Sequence, residues 1–471
     1  MNDVMSIWDG AEANNINDAN SGIYTSIPAL VLGWMSDSDF PFFQRLPGIL
    51  VILGGLAGFY GIGWRIFGKE TTLLTILFIA ATFLVPTLGK LATLDSWVFV
   101  AQLLAIVSLL RFMKEPIFLW QLVCYLFLLF ALWLEPLGTL ILSLSFSIGL
   151  LIKHPQGRNL LKLQPWLVLL SGLAIGYILN LLTWQQPGLL IGFFQLSYAK
   201  YFLISLLALF PIIGFCLGGI RDLFLKLGRG EELSIVLISW ILGAILAEST
   251  ILQVGFCLLA VKQLQAWSNP KYPFRNWVKT GAILHMLLVF GFGFYLMTKG
   301  FIEFGPAGYR AGLVVTLAYW TVSLVGVIGL YSGRRPLLII GHVLSGLIPA
   351  LIFWLSVYPL VESKRLPVKV LSTIEKMDIQ QQKAMYFISE EKGPPLSLKF
   401  KAEEENRSFY WLRSQAALKM LENETTPAGI YVFSAANKNQ FFNQTSDSTR
   451  TIKIWTDKLM TEDWIIVDHT P

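Results

Sequence analysis

The sequence predicts an α-helical polytopic membrane protein carrying a small C-terminal extracytoplasmic α/β domain. Hydrophobic residues make up 55% of the 471-residue chain and charged residues only 14%, with a mean hydropathy of +0.60. Soluble domains carry roughly 25% charged residues, so lipid is the solvent for most of this chain. The charges are also unevenly placed. Residues 1–361 hold 36 of them, 21 basic and 15 acidic, whereas the last 110 residues hold 30, fifteen of each sign. That shift sets the boundary between the two parts near Glu362.

In chain order, residues 1–46 read as a first external loop. Ile23 to Trp34 is too short to span and suits a helix lying along the interface. No basic stretch followed by an apolar one precedes Asp9, so no signal peptide is expected. About twelve spans follow within residues 47–361, near 47–64, 71–88, 96–110, 117–134, 136–152, 165–183, 199–219, 233–249, 251–262, 280–298, 311–331 and 336–360. The ninth is short, and with the eighth it is expected to form a bent or broken pair around Glu248.

The connecting loops orient the spans. One alternate set, including Arg65, Lys69, Arg111, Lys114, Arg334 and Arg335, holds sixteen of the 21 cations. The other holds Arg45, Lys90, Lys200, Lys299 and Arg310. By the positive-inside rule the first set is cytoplasmic. The N-terminal segment, Asp95, Glu135, Glu303 and residues 362–471 are then expected outside the cytoplasm. An external N-terminus with no preceding span lacks a route across the bilayer, so a first helix upstream of Met1, the thirteenth of the full protein, is also expected.

In residues 362–471, KAMYFISEE, LSLKF, AGIYVFSAA, TRTIKIW and DWIIVD read as strands, and SFYWLRSQAALKMLEN has helical spacing. Asn406, Asn423 and Asn443 begin Asn-x-Ser/Thr triplets, a number close to chance in a polar tail. Cys124, Cys216 and Cys257 lie in apolar runs, without metal-ligand or disulfide spacing. His285 and His342 also sit in apolar helices, where a lone histidine is usually hydrogen-bonded packing. The net charge of +6 resides wholly in the membrane part, which points to lipid headgroups and topology and away from nucleic acid.

The chemistry is expected at the external acids. Ile7 to Asn15 reads IWDGAEANN, placing Asp9 and Glu12 ahead of the spans, and Asp95 opens the next external loop in LATLDSW. Taken alone, Asp9 and Glu12 suit a solvated loop and Asp95 a helix N-cap. The order of features changes their weight: two acids, an interfacial segment, FFQRLPGILVILGGLAGFYGIGWRIFGKE, then LATLDSW. Over residues 9–152 this resembles the GT-C class of polyprenyl-phosphate-sugar glycosyltransferases, the group holding bacterial aminoarabinose transferases and protein O-mannosyltransferases.

The resemblance implies a multi-pass inner-membrane enzyme that moves a sugar from a polyprenyl-phosphate donor to a lipid, protein or glycan acceptor on the extracytoplasmic face. Asp9 falls at the family's first-loop aspartate, with Gly10 beside it, unless Glu12 has taken over that role; Asp95 falls at the second-loop aspartate. A sugar on a lipid phosphate already carries a good leaving group. The enzyme must therefore deprotonate or orient an acceptor hydroxyl, which suits a carboxylate base, and compensate the departing phosphate. Two neighbouring carboxylates could alternatively hold a divalent cation, Mg or Mn, bridging phosphate oxygens.

Two segments depart from the family. Trp133-Leu134-Glu135-Pro136 stands where relatives carry Thr-Lys-Gly-Pro, and AESTILQVG around Glu248 stands where they carry a Lys-rich segment. The cations left for the donor phosphate are Lys200, Arg310 and Lys90, with Lys299. A catalytically degenerate member that binds glycolipid or assists assembly is the alternative. A transporter ranks last, since the two halves show no repeat.

Overall fold

The computed structural model describes residues 41–82, 85–86, 88, 95–153, 165–174, 202, 205–206, 208–209, 212–229, 231–272, 275–357, 359–360, 374, 384–389, 408–413, 429–434, 449–457 and 462–469. It divides into two compact units, residues 1–353 and 354–471.

In the first unit, α1 (Pro41–Phe67), α2 (Lys69–Ala81), α3 (Asp95–Lys114), α4 (Phe118–Leu134) and α5 (Pro136–Lys153) are followed by the helix Pro165–Ala174. Then come α6 (Ile213–Leu227), α7 (Glu232–Leu246), α8 (Leu252–Ser268), α9 (Arg275–Tyr331) and α10 (Arg335–Ile352). Among the described residues Leu46–Phe67, Asp95–Lys114, Val278–Tyr331 and Arg335–Val357 are long and apolar enough to cross a membrane. Phe118–Leu134, Pro136–Leu151, Pro165–Ala174 and Glu232–Leu246 are shorter apolar helices. Phe118, Leu126, Leu287, Ile302 and Leu355 are all more than half exposed, as side chains facing hydrocarbon should be.

Helix α8 is the pole of the bundle. Leu252, Gln253, Val254, Phe256, Cys257, Ala260, Val261 and Leu264 are fully buried, and α2, α6, α7 and α9 pack around it. Glycines admit close contacts elsewhere, as small residues do where helices meet in lipid. A Cβ on Gly55 of α1 would lie 2.4 Å from Val100 of α3, and one on Gly346 of α10 would lie 1.8 Å from the carbonyl oxygen of Ala81.

Turn chemistry is readable at three junctions. Gly68 takes φ +91° between α1 and α2. Pro136 starts α5, and Glu135 before it is forced out of the helical region, to φ −143° and ψ 83°. Within α9, Gly305 takes φ +64° and folds the element into two limbs, 275–304 and 306–331. The sequence places a loop between its tenth and eleventh spans; instead a single glycine turns the chain, because Gly300 and Gly308 let the limbs meet at backbone distance. A Cβ on Gly308 would come within 2.0 Å of the Gly300 carbonyl oxygen. Gly308→Val is therefore expected to prevent hairpin closure, costing about 1–3 kcal/mol or more. The measurement is the yield of monodisperse protein and its thermal midpoint; wild-type values for both would contradict the close approach.

The bundle has two chemically distinct ends. At one, Arg335 pairs with Glu70, the Lys114 ammonium donates to the Arg65 carbonyl at 2.7 Å, and Thr71 bonds Gln265. These contacts gather the basic loops. Helix α3 leaves that end at Lys114 and starts at Asp95; its 20 residues span about 30 Å along the axis, the thickness of a bilayer's hydrocarbon core.

The second unit contains a five-stranded sheet of β1 (Ala384–Ser389), β2 (Phe409–Arg413), β3 (Gly429–Ser434), β4 (Thr449–Asp457) and β5 (Glu462–His469), in the order β2-β1-β3-β5-β4. β1 is parallel to β2 and β3, while β5 is antiparallel to β3 and β4. β2 lies in the stretch expected to be helical. Its Tyr410 stacks on Tyr386 at 5.2 Å, and Tyr386 stacks on Tyr431 at 4.8 Å, so pairing across strands overrides local spacing. The expected strand LSLKF lies outside the described residues.

Candidate functional site

At the end of the bundle opposite the basic loops, three segments distant in sequence are joined by one glutamine. Asp95, exposed, opens α3, and Gln102 lies two turns further in, where it is fully buried. Helix α4 packs antiparallel on α3, so the α4–α5 turn returns to the level of the start of α3. The Gln102 amide nitrogen donates to Glu135 Oε2 and to Thr139 Oγ1, both at 3.1 Å. Its carbonyl oxygen accepts from the Ser249 hydroxyl, across 147 residues. Thr139 in turn donates to the Ala131 carbonyl at 3.2 Å, and the hydroxyl of Ser249 accepts from the Ile251 amide at 3.4 Å. Both N–H groups and the carbonyl oxygen of the Gln102 side chain are thereby paired, as a buried amide in an apolar helix requires.

The carboxylates meet around this hub. Glu135 is half-buried in the turn between α4 and α5. Burial and, less strongly, the negative charge of Asp95 raise its pKa, the Gln102 hydrogen bond works in the opposite sense, and the net value is about 7. Glu248 stands beside Ser249 in the α7–α8 turn, with φ +49°, a left-handed conformation that is rare for a residue with a side chain. Its Oε1 is buried and finds no hydrogen-bond partner among the described residues. Burial also raises the Glu248 pKa.

The residues that the sequence puts forward fare differently. Asp95 stands in this cluster. Arg310 is exposed on the second limb of α9, five residues beyond the Gly305 turn, on a helix that packs against α6, α8 and α10. Asp9, Glu12, Lys90 and Lys200 lie outside the described residues. Among the described residues no three His, Cys, Asp or Glu side chains are grouped so as to hold a metal ion. The bent pair expected around Glu248 is present as α7 and α8. Gln102 and Ser249 were not distinguishable as site residues in sequence. The only signal was a lone glutamine inside WVFVAQLLAIV.

No known family model matches the chain, and no curated protein matches it in sequence. In three dimensions it resembles ArnT from Cupriavidus metallidurans, solved in the apo state with a TM-score of 0.65 and bound to undecaprenyl phosphate with a TM-score of 0.63. Each match covers 98% of this chain and 93% of that one at 12% sequence identity. The chain shares the fold of that protein.

Proposed function

We propose that the protein is a membrane glycosyltransferase that moves a sugar from a polyprenyl-phosphate donor to an acceptor hydroxyl on the extracytoplasmic face. The observation that carries this reading is the meeting of Asp95, Glu135 and the Glu248 turn at one end of a bundle with the ArnT fold. Asp95, with Asp9 or Glu12 from the first loop, takes the acceptor proton as the new bond to the sugar forms. Lys200, Arg310 and Lys90 are the cations proposed for the donor phosphate. The proposed orientation keeps the basic loops in the cytoplasm and the acidic end outside.

The test uses the full chain, reconstituted in vesicles, with labelled sugars on undecaprenyl phosphate and with extracted envelope lipids and glycans as acceptors. The expected result is a labelled product together with an equal amount of freed undecaprenyl phosphate. Donor that binds without being consumed would instead favour a degenerate, glycolipid-binding member. That second reading has one specific observation behind it: in Trp133-Leu134-Glu135-Pro136 the lysine that the resemblance expects is missing and an acid has appeared.

A further inference from the structure

The carboxyl of Glu135 is held from two sides. Oε2 accepts from Gln102, and Oε1 lies over Gly138, where an added Cβ would come within 2.7 Å of it. The bare face of Gly138 thus leaves room for a carboxyl folded back over the start of α5. The groups that bond or face it among the described residues bring no positive charge. They are Gln102 and Asp95 from α3; Thr139 of α5 and Ser249 of the α7–α8 turn, which Glu248 adjoins, are linked to it through Gln102. A second anion beside Asp95 is unfavourable in such surroundings, so the Glu135 carboxyl keeps its proton up to about pH 7.

We propose that Glu135 is the proton donor to the departing polyprenyl phosphate, and that Asp95 afterwards returns a proton to it. The proposal rests on the glycosyltransferase reading above. The acceptor oxygen bonds to the anomeric carbon and gives its proton to the Asp95 carboxylate. The bond from that carbon to the phosphate oxygen breaks, and its electron pair stays on the phosphate. The Glu135 O–H passes its proton to that phosphate oxygen, so the lipid leaves as its hydrogen phosphate. Proton transfer from Asp95 to Glu135 then restores the starting state. One proton enters on the acceptor and one leaves on the phosphate, and the cycle closes.

Two features support this assignment. The second pKa of a phosphate monoester is about 6, close to that of Glu135, and general acids work best when donor and acceptor are matched in this way. A neutral proton donor also meets the phosphate's need for compensation in the turn, Trp133-Leu134-Glu135-Pro136, from which the expected lysine is missing.

The sign of the pH dependence follows. Glu135 is protonated below about pH 7, so donation is lost as pH rises through that value. Single-turnover transfer by the full chain in vesicles, from a labelled undecaprenyl-phosphate sugar, is expected to fall about tenfold per pH unit on the alkaline side. Glu135→Gln keeps the oxygen that Gln102 bonds and is expected to be about 10–100-fold slower at pH 6.5, the low end for general acid catalysis, with no alkaline limb. Glu135→Asp is expected to bring the limb back. Gly138→Ala, which crowds Oε1 while leaving Glu135 in place, is expected to slow transfer as well. A Glu135→Gln enzyme with wild-type rate and limb, or a slow one that keeps the limb, would overturn the proposal while the glycosyltransferase reading stands. Absence of transfer by the wild-type chain would overturn that reading, and this inference with it.

Discussion

Asp95→Asn is expected to reduce sugar transfer by about 10²–10⁴-fold, roughly 3–5 kcal/mol of transition-state stabilisation, with little effect on folding. The two consequences separate because the side chain has two distinct environments. As the first residue of α3 it lies at a helix N-terminus, where Asn caps as well as Asp, and it is exposed, so the amide costs the fold little. As a base it has no substitute in the amide, which cannot accept the acceptor's proton. Asp9→Asn is expected to act in the same direction. Single-turnover rates at matched protein levels measure both, and unchanged transfer in both variants would remove the catalytic reading.

Gln102→Leu is expected to damage stability and activity together. The substitution keeps the volume but removes the donor to Glu135 Oε2 and the acceptor for Ser249. Each buried polar group left unpaired costs about 1–3 kcal/mol, so the loss is about 2–6 kcal/mol before any relaxation. The α4–α5 and α7–α8 turns would also lose their common tie, and Glu135 its position beside Asp95. Thermal unfolding in detergent and the transfer assay report the two effects. A variant with the wild-type midpoint and rate would show that the hub is incidental.

The sequence made the broad architecture legible for plain physical reasons. Apolar runs of bilayer length mark helices, and the basic loops gather at one end, as their alternation implied: Glu70 and Arg335, 265 residues apart, pair there. Pro136 and the acid before it announced a turn, and Glu248 announced the break between α7 and α8. The hub was not legible, because hydrogen-bond partners 33 and 147 residues from Gln102 leave no local trace. The stretch at Phe409–Arg413 has the apolar spacing of a helix as well as a strand, and only its neighbour β1 decides between them. The hairpin at Gly305 needed close backbone approach at Gly300 and Gly308, which composition alone does not specify.

The most direct test is a structure of the full chain with an undecaprenyl-phosphate sugar, or a non-transferable analogue, bound in a lipid nanodisc. The expected result places the bridging phosphate oxygen at the Asp95 end of α3, within hydrogen-bond reach of Glu135, about 2.6–3.2 Å or one water away. A donor phosphate found at the opposite end, among Arg65, Lys114 and Arg335, would contradict the account.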